Sequence, residues 1–210
     1  MIEPMIAAVM CGGKGSRMVQ SSFTEKPMIL FRGKPMVEYV LDAIVGSRKF
    51  SSIFAVTSYH TARTTIYLQK HPYCMDGKVE LLSTSGIDYS EDLCQLIDLL
   101  PSSQVLIVPS DIPLLSIEMV NEILKHWNHG NYFVSIVLEK DFVTKLGLTP
   151  SIVIRFNGIE YCHSGISILD TSQITIGSET SESYIVLNRK EIAFNINTKN
   201  DLENLSFEIS

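Results

Sequence analysis

Met5-Ile6-Ala7-Ala8-Val9-Met10-Cys11-Gly12-Gly13-Lys14-Gly15-Ser16-Arg17-Met18 is the stretch that sets the architecture of this chain. Met5–Met10 is a short apolar run, the pattern of a strand covered on both faces. Three glycines in four positions follow it directly. Without Cβ atoms the backbone can turn tightly there and approach a ligand closely. Successive N–H groups in such a turn form an anion nest, to which Lys14 and Arg17 add positive charge. A loop leaving the carboxyl end of a parallel strand is also where open α/β sheets bind their ligands. Two familiar phosphate loops are excluded. The dinucleotide-binding fingerprint needs a third glycine where Met18 stands. A P-loop needs glycine at Ala8 and a hydroxyl residue at Gly15.

Working outward, Ile53–Thr57, Val79–Leu82 and Gln104–Val108 repeat the short apolar run. Helix-like segments separate them. Pro35 suits a first helical turn, Val37, Val40, Leu41 and Ile44 form a stripe, and Gly46 is expected to end it. Ser90 is expected to cap a helix with Glu91 and Asp92 in its first turn and Pro101 as its stop. Ser116 opens another, with Val120, Ile123, Leu124 and Trp127 inward and Gly130 past its end. This alternation predicts an α/β fold, a Rossmann-like, mostly parallel sheet flanked by helices. The C-terminal third differs. Tyr132–Glu139 reads as a longer strand, and Ile152–Phe156 and Ile159–Cys162 flank Asn157-Gly158, a hairpin signal. Antiparallel strand additions are expected there.

The chain has 210 residues, 45% hydrophobic and 19% charged, as in ordinary globular domains. A formal net charge of −6 argues against nucleic acid and acidic membranes as partners. Cys11, Cys74, Cys94 and Cys162 show no zinc spacing and fit a reducing compartment. Met1-Ile2-Glu3-Pro4 lacks the basic start of a signal peptide, and no run of about 18 apolar residues occurs. A cytoplasmic location without membrane insertion is expected.

Further candidates lie downstream. Lys26, in Glu25-Lys26-Pro27-Met28, is either a second cation for phosphates or a solvated lysine. Asp111, just past an apolar strand, suits Mg²⁺, which takes one or two carboxylates together with substrate phosphates. It also suits a turn before Pro113. If Phe194–Thr198 is a strand, Asn195 and Asn197 share a face. Thr84-Ser85-Gly86 is a base or ribose contact, or only a polar turn. His126 and His129 read as surface histidines. Cys162-His163 is discounted as a nucleophile and base, because neighbours on a strand point to opposite faces.

Cys11-Gly12-Gly13-Lys14-Gly15-Ser16-Arg17-Met18, Glu25-Lys26-Pro27, Ser110-Asp111 and Asn195-Ile196-Asn197-Thr198 together resemble the sugar-nucleotide and molybdopterin nucleotidyltransferase superfamily. Within it, Thr84-Ser85-Gly86, Glu91-Asp92-Leu93, Ser164-Gly165-Ile166 and Phe194–Lys199 resemble the archaeal GTP:adenosylcobinamide-phosphate guanylyltransferases of cobamide biosynthesis. The likeness covers nearly the whole chain. Cys11 departs from it, standing where the superfamily usually has alanine, as does Ser164, where relatives often have alanine.

The resemblance implies a nucleotide-diphospho-sugar transferase-like fold and one domain over 1–210. About 1–130 would bind the nucleotide, and about 131–210 the acceptor and the rest of the metal site. It also implies transfer of GMP from GTP to a phosphorylated small molecule with release of pyrophosphate. Gly12, Gly13, Lys14, Gly15, Ser16 and Arg17 would hold the triphosphate, with Lys26, Arg17 and Asp111 catalytic. Asp111 and Asn197, or Asn195, would bind Mg²⁺. Thr84, Ser85 and Gly86 would contact guanine or ribose, and Ser164 and Gly165 the acceptor. The sequence does not fix the oligomeric state; a homodimer is one arrangement to expect. Two alternatives stay open: a guanylyltransferase for molybdopterin or another acceptor, and a GTP-binding regulatory module without catalysis.

Overall fold

Burial on both faces makes β1 (Met5–Met10) a central strand, with Ile6, Ala7, Ala8 and Val9 enclosed. The computed structural model describes residues 5–13, 25–127, 132–174 and 181–208. A single 3-10 turn at Lys26–Met28 leads into the hairpin β2 (Leu30–Phe31) and β3 (Lys34–Pro35), then α1 (Met36–Ser47). Next come β4 (Phe50–Ser58), α2 (Ala62–Gln69), α3 (Pro72–Met75), β5 (Glu80–Thr84), α4 (Tyr89–Leu99), β6 (Gln104–Pro109) and α5 (Ile117–Lys125). The remainder is β7 (Phe133–Glu139), α6 (Lys140–Lys145), β8 (Val153–Phe156), β9 (Ile159–Asp170), β10 (Ser183–Val186), α7 (Lys190–Ala193) and α8 (Lys199–Glu208).

Eight strands form one sheet in the order β10-β7-β9-β6-β1-β4-β5, with β8 attached to β9. β1 is parallel to β4 and β6, β4 to β5, and β10 to β7. Only β9, among the described strands of this sheet, runs against its neighbours. Alternation along β1 sends Ala7 and Val9 to a core with α1 and α5, and Ile6 and Ala8 to a second core with Leu96 and Leu100. Covering the sheet on both faces is what the unbroken apolar runs require.

Several boundaries differ from expectation. α1 continues through Gly46 and ends at Arg48, whose φ is 54°. A Cβ on Gly46 would lie 2.7 Å from Ile117 Cδ1, so the glycine serves the close approach of α1 and α5. α4 starts two residues earlier than Ser90 suggests, because Asp88 accepts from the Glu91 N–H at 2.9 Å and caps the helix. Ser116 caps α5 as expected, accepting from Met119 N–H. Phe194–Thr198 is not a strand: Ile196 N–H donates to Asp111 O at 2.9 Å, but no ladder forms.

Asn157-Gly158 does form the β8–β9 hairpin, with φ of 50° and 78°. Nothing lies within 4 Å of a Cβ built on Gly158, so Gly158→Ala isolates the cost of a left-handed residue. About 1 kcal/mol is expected, a melting temperature lower by about 2–4 °C, measurable by calorimetry.

Candidate functional site

Three segments distant in sequence meet at the carboxyl edge of the sheet. Lys26 Nζ forms an ion pair with Asp111 Oδ2 and donates to Asn197 Oδ1 at 3.0 Å. The two ion-pair side chains keep 16% and 12% exposure, so water screens their attraction only in part. Asp111 Oδ1 is buried and has no hydrogen-bond partner among the described residues. A bare carboxylate oxygen in a protein interior is costly, and that cost needs a reason.

Each member of this group is held from behind. The Glu25 carboxylate accepts from Arg63 N–H at 2.8 Å and from Thr64 N–H and Oγ1, both at 2.6 Å. These groups open α2, where unpaired amides favour an anion. Pro27 is buried within the 3-10 turn that Lys26 begins. Asp111 lies two residues beyond β6. Asn197 is fixed through Asp201, whose carboxylate accepts from Asn197 N–H at 3.0 Å, Thr198 N–H at 2.7 Å and Thr149 N–H at 3.1 Å. Thr198 Oγ1 accepts in turn from Asp201 N–H at 3.1 Å, completing a capping box for α8. The Asn197 amide also donates to Asn195 Oδ1 at 3.2 Å, so the two asparagines meet without a strand.

Beside this group, the first glycine after β1 packs against β4 and the turn after β5. Ser58 Oγ donates to Gly12 O at 2.6 Å, and a Cβ on Gly12 would stand 3.3 Å from Ser58 Cβ. Gly86 has φ of 68°, and a Cβ there would fall 2.7 Å from Ser58 Oγ. Its N–H donates to Asp92 at 2.7 Å, while Ser85 N–H donates to Gln95 Oε1 at 2.8 Å. The Thr84 hydroxyl turns inward to Thr57 O. Cys11 is buried, and burial pushes its thiol up to about 12, which leaves it inert at neutral pH.

On the other side stands a bulge in β9. One edge of β9 pairs with β8 up to Cys162 and with β6 only from Ser167 onward. Ser164–Ile166 lie in the gap between the two partners. Gly165 has φ of 83°, and a Cβ there would approach Pro109 Cγ at 3.0 Å and Asn195 Nδ2 at 3.5 Å. Ser164 Oγ is turned away to Ile136 O at 2.7 Å, and Asn195 Nδ2 donates to Ser164 O at 3.1 Å. Gly165 N–H donates to His163 Nδ1 at 3.3 Å, and His163 Nε2 faces Glu182 Oε1 at 3.3 Å. Burial alone would raise the Glu182 pKa, but hydrogen bonds from Ser135, Tyr184 and His163 outweigh it and hold the carboxyl low.

The structure therefore gathers Gly12, Lys26, Ser85, Gly86, Asp111, Gly165 and Asn197 on one edge of the sheet. Gly13 follows Gly12, with open space around its Cβ position. Lys14, Gly15, Ser16 and Arg17 lie outside the described residues, as do His129 and Gly130. The sequence did not single out Glu25, Asp201, His163 or Glu182 as supports. Only the Thr198-x-x-Asp201 spacing carried a local signal. Among the described residues no group of three His, Cys, Asp or Glu side chains is arranged to hold a metal. Nor is any described helix long and apolar enough to cross a membrane.

Paired glycines just after the first strand, a lysine and an aspartate at the same edge, and a reversed strand beside them are the layout of a nucleotidyltransferase fold. Consistent with this, 4-diphosphocytidyl-2C-methyl-D-erythritol synthase from Anaerococcus prevotii superposes with a TM-score of 0.63, over 98% of this chain and 99% of that one. At 13% identity that likeness concerns the fold alone. Residues 7–153 match the MobA-like NTP transferase domain, and the chain belongs to that family. It is 32% identical over 205 residues to the adenosylcobinamide-phosphate guanylyltransferase of Methanocaldococcus jannaschii, covering 95% of this chain and 94% of the relative. A probable molybdenum cofactor guanylyltransferase of Flavobacterium johnsoniae is 29% identical over 131 residues, 60% of this chain and 58% of that one.

Asp201 is 1% exposed and ties three backbone N–H groups. Asp201→Ala strands those donors and is expected to cost about 3 kcal/mol. Urea unfolding should show that loss together with a melting temperature lower by about 6–12 °C. An unchanged midpoint would mean that the Asn197 segment holds without it.

Proposed function

We propose that the chain is a guanylyltransferase that moves GMP from GTP to adenosylcobinamide phosphate and releases pyrophosphate. The observation that carries this reading is the Lys26 ammonium, held by Asp111 and Asn197 beside the glycine turn. The choice of acceptor leans on the Methanocaldococcus relative, which matches over 95% of the chain, against 60% for the molybdenum cofactor relative. A regulatory GTP-binding module has no need of a lysine and a carboxylate converging where pyrophosphate would leave. Free cysteines throughout fit work in the cytoplasm.

In the proposed reaction a phosphate oxygen of the acceptor attacks the α-phosphorus of GTP. The new P–O bond forms as the bond to the pyrophosphate oxygen breaks on the opposite side. Such transfer depends on positioning and charge balance rather than on covalent help from the protein. Gly12 to Arg17 would hold the triphosphate through backbone N–H groups and the charges of Lys14 and Arg17. Lys26, freed from Asp111, would balance charge growing near the α-phosphate. Ser85 and Gly86 would face the nucleoside, with Thr84 supporting that turn from within the sheet. Gly165, in its gap, would let the acceptor approach the backbone, with Ser164 shaping the bulge.

The unpartnered Asp111 Oδ1 fits a divalent cation, and Mg²⁺ is the natural one beside phosphates. Asp111 would hold it, with Asn197 or Asn195 as a second oxygen donor. When bound, it supplies positive charge for the leaving pyrophosphate.

Incubation with GTP and adenosylcobinamide phosphate, with pyrophosphate and product mass as readouts, tests the assignment. Turnover with molybdopterin instead would move it to the other acceptor. Lys26→Ala should lower turnover by about 10²–10³ while leaving GTP affinity within a few-fold. Near-normal turnover would reduce Lys26 to a structural partner of Asp111. Asp111→Asn should keep GTP binding yet lose about 10² or more in turnover. A destabilised but fully active Asp111→Asn would remove the centre of this mechanism.

A further inference from the structure

Asp92, in the first turn of α4, is a charged side chain that the mechanism above leaves without a role. It is 5% exposed and forms no ion pair among the described residues. Its hydrogen bonds fall on one oxygen: Oδ1 accepts from Gly86 N–H at 2.7 Å and lies 3.5 Å from Ser85 Oγ. Oδ2 accepts no hydrogen bond from a described residue. It faces Gly12, 3.6 Å from where a Cβ would stand on that glycine. A largely buried carboxylate with one uncommitted, reachable oxygen is free to accept from a donor that a ligand brings.

The surroundings indicate which donor fits. Gly12, Ser58, Gly86 and Asp92 converge where the loops after β1, β4 and β5 meet. Both glycines are compelled by the packing, since a Cβ on either would press on Ser58. Ser58 Oγ is already committed, donating to Gly12 O and accepting from His60 N–H. His60 Nε2, beside the same turn, is a further buried nitrogen without a partner among the described residues. The wall is thus narrow, lined by backbone, and carries one acceptor-only group. Guanine has two adjacent donors on its pairing edge, N1–H and N2–H. Adenine places an unprotonated nitrogen at N1 and has no amino group at C2. A carboxylate there attracts the first and repels the second, so it selects by both contact and conflict.

We infer that Asp92 is the base-reading residue of this site: its carboxylate accepts the N1–H and N2–H of guanine, while the Gly86 N–H fixes its orientation. This rests on the proposed GTP-dependent reaction. Asp92→Asn is nearly isosteric and keeps an oxygen for Gly86 N–H, but it places a donor where guanine also donates.

The test is calorimetric binding of GTP, inosine triphosphate and 2′-deoxy-GTP to wild type and to D92N, with melting temperatures measured on the same preparations. Inosine triphosphate differs from GTP only in lacking the 2-amino group. Wild type should prefer GTP by about ten- to a hundredfold, the usual worth of a hydrogen bond to a charged group. In D92N that preference should fall to about one, with the melting temperature little changed. A wild-type ratio near one, or a ratio that survives D92N, overturns the assignment. A penalty confined to 2′-deoxy-GTP would move Asp92 to the ribose and overturn it equally. If no nucleoside triphosphate binds, the proposed reaction falls as well, whereas GTP binding with an unchanged ratio removes only the role of Asp92.

Discussion

The Lys26 ammonium, lodged between the Asp111 carboxylate and the Asn197 amide oxygen, constrains much of what surrounds it. Three segments that share no local structure must arrive at one point and bring charge into partial burial. Charge removed from water needs a partner held in place, because a loose partner does not repay desolvation. The chain meets this need with backbone amides. Glu25 spends its oxygens on the opening of α2, and Asp201 spends its own on the opening of α8 and on Thr149. Both segments entering the site are therefore pinned one to four residues away from the side chain they deliver. Ile196 N–H on Asp111 O then ties the last segment to the end of β6.

Strand β9 supplies the other half of the geometry. A strand set antiparallel between β6 and β7 turns its own middle toward the carboxyl ends of its neighbours. Because β8 and β6 share one edge of β9 without meeting, Ser164–Ile166 are left in a gap on that edge. The left-handed Gly165 lets the strand bulge there against Pro109. Backbone is thus exposed at the site without breaking the sheet, since Ser164 Oγ and His163 take up hydrogen bonds the bulge would otherwise lose.

What the sequence shows and what it hides divide along the range of the interactions. The first strand, the apolar runs of β4 and β6 and the Asn157-Gly158 hairpin are local patterns, and they appear where the residues place them. β5, by contrast, begins at Glu80 and is an exposed edge strand rather than one buried on both faces. α4 is misplaced by two residues because Asp88 and Ser90 are both good caps, and only the contact with Glu91 N–H decides between them. Gly46 looks like a helix end in one dimension; its reason is Ile117, on another helix. Asn195 and Asn197 suggest a strand face by alternation, yet they meet because Asp201 bends the chain around them. The short β10 carries only the brief apolar run Tyr184-Ile185-Val186 and gains its place through parallel pairing with β7. Lys26, Asp111 and Asn197 could be named singly, but no spacing relates them. Glu25 and Asp92 lie in segments the sequence marks, yet their contacts, like those of Glu182, form only in the folded chain.

The ion pair also bears on how the proposed chemistry is kept in check. Asp111 Oδ2 and Asn197 Oδ1 are oxygens of the kind a divalent cation would take, and here both face a lysine. A site built to gather phosphates is rich in N–H donors and positive charge, and it must stay folded when no phosphate is near. Pairing Lys26 with Asp111 satisfies that demand, because neither charge is left bare in a part-buried place. Among the described residues of this group, the unsatisfied atom that remains is Asp111 Oδ1. On the mechanism proposed here, a triphosphate offers Lys26 a more highly charged partner, and its departure frees the second oxygen of Asp111. One set of side chains then serves both states, paired with each other when no phosphate is near and with phosphate and cation when both arrive.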